Sequence, residues 1–158
     1  MTPAVQALKR AKIDYQLLYY EHDANADSFG GEAAAKLNLD PHAMYKTLIA
    51  CDEQNPRNMV VAIVPVAGHL DLKKLAKAAG IKKMKMADPA LAEKTTGYIK
   101  GGISPIGQKK RLPTFLDESA EALEHIYVSG GKRGLTLEIA PKPVMTLLNG
   151  KFVPIAAA

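Results

Sequence analysis

The stretches "KTLIAC" (46–51) and "NMVVAIVP" (58–65), joined by the polar "DEQNPR" (52–57), decide the fold. Both runs are aliphatic and rich in β-branched residues. A short polar, proline-containing connection between two such runs predicts an antiparallel hairpin. Toward the N-terminus, "YQLLYY" (15–20) reads as a strand. Thr2-Pro3 offers an N-cap and a first-turn proline for a helix with the stripe Val5, Leu8, Ala11. "HDANADSFGG" (22–31) reads as a turn-rich loop, and "GEAAAKLNL" (31–39) as a helix that Asp40-Pro41 stops. Toward the C-terminus, Asp71 can cap a helix over "LKKLAKAAG" (72–80), which Gly80 ends. "KKMKMA" (82–87) alternates like a short edge strand, and Asp88-Pro89 opens another helix. "TFLDE" (114–118), "HIYVS" (125–129) and "GLTLEIA" (134–140) predict three more strands, with a short acidic helix between the first two. "KPVMTLLNG" (142–150) closes the series as a helix ended by Gly150. Strands do not alternate regularly with helices. The expectation is therefore one α+β domain over residues 1–158, with a mixed sheet.

The chain has 158 residues, 47% hydrophobic and 23% charged, which suits one domain with a real core. No apolar run approaches the ~20 residues of a membrane span. "MTPAVQALKRAK" (1–12) has no apolar core of a secretory signal, and a single cysteine, Cys51, fits a reducing cytoplasm. The histidines are scattered and give no metal-ligand spacing, so neither metal nor cofactor is expected. Net charge is +5, divided as −3 over residues 1–72, +9 over 73–111 and −1 over 112–158. A positive field concentrated in one quarter of the chain attracts polyanions. Its bland counterpart is a solvated set of lysines on helix faces.

Two motifs fail. "GISPIGQK" (102–109) has the glycine spacing of a P-loop at Gly102 and Gly107, but Gln108 and Lys109 stand where lysine and a hydroxyl are needed. "SGGKRG" (129–134) lacks dinucleotide-binding spacing and reads as a tight hairpin turn. Cys51 reads as a buried structural thiol, on the strand face opposite Lys46.

What remains is Lys46 at the mouth of an apolar strand and "GYIKGGISPIGQKKR" (97–111). A lone lysine at a strand start is commonly a snorkelling surface residue. The glycine loop raises its significance. Gly101, Gly102 and Gly107 remove side chains so that backbone N–H groups can face a ligand, and Pro105 stiffens the turn. Such a loop can stabilise an oxyanion; otherwise it is a bulge or bend.

"YKTL" (45–48), "GGISP" (101–105) and "YVSGGKRGLTLEIAP" (127–141) resemble the YbaK-type aminoacyl-tRNA deacylases, relatives of the editing domain inserted in bacterial prolyl-tRNA synthetases. The resemblance covers essentially the whole chain and is strongest to the branch that hydrolyses cysteinyl-tRNA(Pro). It implies a curved, mixed, largely antiparallel sheet with flanking helices. It makes Lys46 and Gly101 the catalytic candidates. It places Tyr20, Thr47, Gly102, Ile103, Ser104, Pro105, Ser129 and Thr136 around the substrate. Thr136 departs from the family, which often has an aspartate or another polar residue there. The chemistry implied is attack by the substrate's own thiol, with water attack as the alternative. The basic segment then offers Lys73, Lys74, Lys77, Lys82, Lys83, Lys109, Lys110 and Arg111 to the tRNA acceptor end. Phosphate contacts position rather than specify, so selection of tRNA could come from transient association with prolyl-tRNA synthetase, which the family suggests. The rival readings are a deacylase for alanyl-tRNA(Pro), a non-catalytic tRNA- or nucleotide-binding module, and a structural protein with solvated lysines.

Overall fold

The computed structural model describes residues 1–22 and 29–157. Its centre is the hairpin of β2 (Tyr45–Asp52) and β3 (Met59–Pro65), in register from Tyr45↔Pro65 to Cys51↔Met59. β5 (Met84–Met86) adds antiparallel to the far half of β2, at the sheet's edge as expected from its alternation. On the other side β6 (Thr114–Asp117) runs parallel to β3, and β9 (Lys151–Val153) parallel to β6. Among the described residues this makes a five-stranded sheet in the order β5-β2-β3-β6-β9. β1 (Tyr15–Tyr19), β8 (Leu135–Ile139) and β7 (Ile126–Ser129) form a second, antiparallel sheet in the order β1-β8-β7. The two sheets join at one point, where Met44 bridges Tyr127 in parallel and the Tyr127 N–H donates to the Ala43 carbonyl at 3.0 Å.

The central strands of the five-stranded sheet are buried on both faces. Alternate residues divide between two cores. Ile49, Cys51, Val61 and Ile63 face the larger one, with α1 (Pro3–Ala11), α5 (Pro141–Leu148) and the second sheet. Ala50, Val60, Ala62 and Val64 face α3 (Leu72–Ala79) through Leu75 and Ala76. The helix starts follow the capping chemistry. Thr2 Oγ1 accepts from Val5 N–H, Asp71 from Lys73 and Lys74, and Asp88 from Leu91 at the start of α4 (Pro89–Thr96). In α1 the stripe buries Val5 and Leu8, whereas Ala11 lies in the last turn and is exposed.

Several expectations shift. The second helix, α2 (Phe29–Lys36), starts two residues earlier and ends three earlier than the pattern predicts, because Asn38 takes a left-handed turn (φ 55°). The loop expected over 22–31 is thereby shortened, and residues 23–28 of it lie outside those described. α5 is closed by Asn149 in the left-handed region (φ 52°), not by Gly150. Gly150 serves packing instead, since a Cβ there would sit 2.3 Å from Met145 Cε. The acidic helix after β6 is a 3-10 turn, Glu118–Ala122. β9 and the pair β4 (His69–Leu70) with β10 (Ala156–Ala157) had no sequence signal, being only two or three residues long.

Candidate functional site

β2 has an unpaired stretch in mid-strand. Asp52 N–H donates to Asn58 O and Val66 N–H to Met44 O, so the even-numbered residues of β2 exchange bonds with β3. The odd-numbered ones point the other way. There Ile49 O accepts from Ala87 N–H beside β5, and the Met44–Tyr127 bridge attaches β7. Between these attachments no strand among the described residues pairs with β2, and the backbone N–H and C=O of Thr47 face the gap. The Thr47 Oγ1 is also buried without a hydrogen-bond partner among the described residues. An unmade bond of this kind costs about 1–3 kcal/mol, and such groups call for an explanation.

A cavity of about 610 Å³ occupies the gap, within the range of small-ligand pockets. Residues Lys46–Ile49 of β2 run along it, with Val128 and Ser129 from β7, Met86 and Ala87 from the β5 side, and Ala92 and Glu93 from α4. Of the residues the sequence singled out, Tyr20, Lys46, Thr47, Gly101, Ile103, Ser129 and Thr136 all line it. They come from separated parts of the chain. Thr136 is opposite Ser129 in the β7/β8 register and opposite Leu18 in the β1/β8 register. Gly102, Ser104 and Pro105 do not line the cavity.

The 98–107 loop is tied down from both sides. Tyr98 O–H donates to Ile106 O at 2.7 Å, and burial pushes its pKa up to about 12. Ser104, fully buried, accepts from Ile106 N–H through Oγ, while Gln108 Nε2 donates to its carbonyl at 3.0 Å. The Gly102 N–H is spent on Ile99 O at 2.9 Å. Its missing side chain has another reason: a Cβ would lie 2.8 Å from Lys132 Cα and 3.2 Å from Arg133 N. The β7–β8 turn therefore packs against this loop, and the Arg133 guanidinium donates twice to Lys100 O, at 3.1 and 2.9 Å. Gly101 has φ 86°, which favours glycine.

Lys46 is half-buried and has no carboxylate within ion-pair distance among the described residues. Burial raises the Tyr20 pKa, so its hydroxyl remains a neutral donor. The Ser129 Oγ accepts from Gly131 N–H at 3.2 Å, leaving its proton for another partner. Tyr45 lines the cavity, but its hydroxyl bonds Ser119 Oγ at 2.8 Å. Cys51 is 1% exposed in the larger core, where burial raises its thiol pKa. Among the described residues no three His, Cys, Asp or Glu side chains converge to hold a metal.

None of the eight basic residues expected at an acceptor-stem surface lines the cavity. Lys73, Lys74 and Lys77 are exposed on α3, and Lys82 on the segment after it. The Lys74 ammonium donates to Ala156 O at 3.3 Å, Lys83 pairs with Glu53 at 3.8 Å, and Arg111 donates to Leu147 O. The backbones of Lys109 and Lys110 bond the Thr96 and Thr95 carbonyls, at the end of α4. The cavity instead carries Lys100 and Lys132, which the sequence reading passed over. Their signal was present in "IKGG" and "GGKRG", but those segments were read for glycine rather than charge. Among the described residues no helix is long and apolar enough to cross a membrane.

Comparison with known proteins places the chain in context. The sequence profile of the aminoacyl-tRNA editing domain matches residues 23–147. A protein of Enterococcus faecalis, EbsC, is 42% identical over 98% of this chain and 92% of its own, and its name makes it a candidate Cys-tRNA(Pro)/Cys-tRNA(Cys) deacylase. The fold matches a crystal structure titled as a candidate trans-editing enzyme for prolyl-tRNA synthetase, with TM-score 0.81 and 21% identity over 99% of this chain and 96% of that one. A hypothetical protein of known structure matches with TM-score 0.86 and 20% identity over 98% and 99%.

Proposed function

The chain belongs to the aminoacyl-tRNA editing domain family, and from that membership we propose that it acts in trans to deacylate mischarged Cys-tRNA(Pro), as one editing domain over residues 1–158. The observation that carries the proposal is the cavity on the open edge of β2, lined by both Lys46 and Gly101. The 3′-terminal aminoacyl ester enters this gap. Lys46 has three N–H donors and no acceptor. As an ammonium it holds a ribose or phosphate oxygen and fixes the ester's pose, a type of orientation that contributes several kcal/mol. Gly101 and Ile103 supply the backbone N–H groups for the tetrahedral oxyanion, since that of Gly102 is committed to Ile99. One such donor contributes roughly 3 kcal/mol. Tyr20, Thr47, Ser129 and Thr136 supply the polar wall.

The substrate's own thiol attacks the ester carbon, closing a thiolactone. The 3′-oxygen leaves with the electron pair of the broken C–O bond and takes up a proton, freeing the tRNA. Glu93 is the only carboxylate lining the cavity among the described residues, and it accepts the Lys100 N–H at 2.7 Å. A nucleophile carried by the substrate fits a site furnished this way. The substrate is an aminoacyl-tRNA, and prolyl-tRNA synthetase is the transient partner that would present it, in a cytoplasmic setting.

The test incubates the protein with cysteinyl-, alanyl- and prolyl-tRNA(Pro) and follows ester loss against Lys46→Ala. Rapid loss of the cysteinyl ester alone, abolished in the variant, is expected. Loss of the alanyl ester instead would change the specificity and remove the thiol mechanism. Stability of all three esters would overturn the proposal.

A further inference from the structure

We propose that Lys100 and Lys132 form a two-lysine clamp on the phosphodiester backbone of the RNA 3′ end, held in place by the coupling of their two loops. Both line the cavity and both are exposed, whereas its lining also includes the apolar Ile103, Val128 and Leu135. With Lys46 they make three ammonium groups against Glu93. None of the three has an ion-pair partner among the described residues. Like charges gathered on one cavity repel, a cost that a bound polyanion offsets.

The fold fixes the two lysines relative to each other. Gly102 lets the β7–β8 turn approach to the point where a single Cβ would strike the Lys132 backbone. The Arg133 fork on Lys100 O then closes the loops from the next residue. Each anchored residue is a clamp lysine or lies within two positions of one. The arrangement holds the two lysine backbones ready and reduces the ordering cost of binding. The clamp takes the phosphates and leaves Lys46 for the ester end. This inference rests on the deacylase reading for the identity of the ligand.

The primary test measures binding of uncharged tRNA(Pro) from low to physiological salt, for wild type, Lys100→Gln, Lys132→Gln, the double variant and Lys132→Arg. For single-stranded contacts the slope of log affinity against log salt should fall by about 0.7 for each lysine removed and about 1.4 for the double variant. Lys132→Arg should keep the wild-type slope. An unchanged slope in the folded double variant, or a flat wild-type response, would overturn the clamp. Turnover of cysteinyl-tRNA(Pro) is the second readout, with KM rising more than kcat falls. Steep, lysine-dependent binding without cleavage of any ester would support the clamp while sinking the deacylase reading.

Discussion

The two halves of β2 share one backbone geometry but not one environment. From Ile49 to Cys51 the strand is paired on both edges and at most 4% exposed. From Lys46 to Leu48 it is paired, among the described residues, with β3 alone, and its other edge opens onto the cavity. β5 and β7 stop short of each other, and that interval separates core from site. Backbone groups in a sheet are ordinarily paired, so an interrupted edge is costly unless something occupies it. The unpartnered Thr47 Oγ1 lies at the same interruption.

If the open half is the site, the largest effect belongs to its cation. Lys46→Ala should lower kcat/KM on cysteinyl-tRNA(Pro) by about a hundredfold or more, about 3 kcal/mol of transition-state stabilisation. The melting temperature should scarcely move, because Lys46 has no ion pair among the described residues to lose. Full activity in the folded variant would erase the distinction between the halves. Next comes the loop that brings Gly101 and Ile103 to the same cavity. Gly102→Ala puts a methyl group 2.8 Å from a backbone atom of the neighbouring turn. Overpacking of this type costs about 1–3 kcal/mol. Thermal unfolding should show that loss, with turnover down about tenfold as Gly101 and Lys132 move apart.

Legibility in the sequence follows the same division. The hairpin, the capped helices and the 129–134 turn were readable because each depends on local chemistry. Asp71, Asp88 and Thr2 bond within three residues of themselves. β4, β9 and β10 were not readable, since a two- or three-residue strand owes its existence to a distant partner. At the site, Lys46 was conspicuous as a cation heading an apolar run. Lys100 and Lys132 were hidden among other lysines, and only the packing of Gly102 against the turn brings them to the same cavity. The role of Gly102 was inverted for a related reason. A glycine's missing side chain is visible in sequence, but whether the space admits a ligand or another loop is not. The charge count marks a region rather than a site, because the +9 segment is spread over α3, β5, α4 and the loop after it.

A smaller effect concerns the anchor of the loop. Burial raises the Tyr98 pKa to about 12, against 10.0 for a free side chain. The folded state therefore favours the neutral hydroxyl. Its contribution is complete below pH 10 and is lost as the pH rises from 10 toward 12. Denaturant unfolding across that interval should show a decline of order 2 kcal/mol from this residue. Tyr98→Phe should flatten that part of the curve and start lower by about 1 kcal/mol, since the Ile106 carbonyl loses its donor. An identical pH dependence in the variant would show that the loop is held by other contacts.

The smallest effect belongs to the closed half of β2. Cys51 is on the same strand as Lys46, but in the core between paired edges. Its thiol pKa is raised chiefly by burial, so at neutral pH it is a protonated, enclosed thiol rather than a nucleophile. Cys51→Ala should cost about 1 kcal/mol, the scale of one buried methylene, and leave deacylation at the wild-type rate. A thiol reagent should modify the folded protein only as fast as the core opens. Loss of turnover in a stable Cys51→Ala variant would move the chemistry five residues along β2. The pairing that distinguishes the two halves would then no longer account for where the site lies.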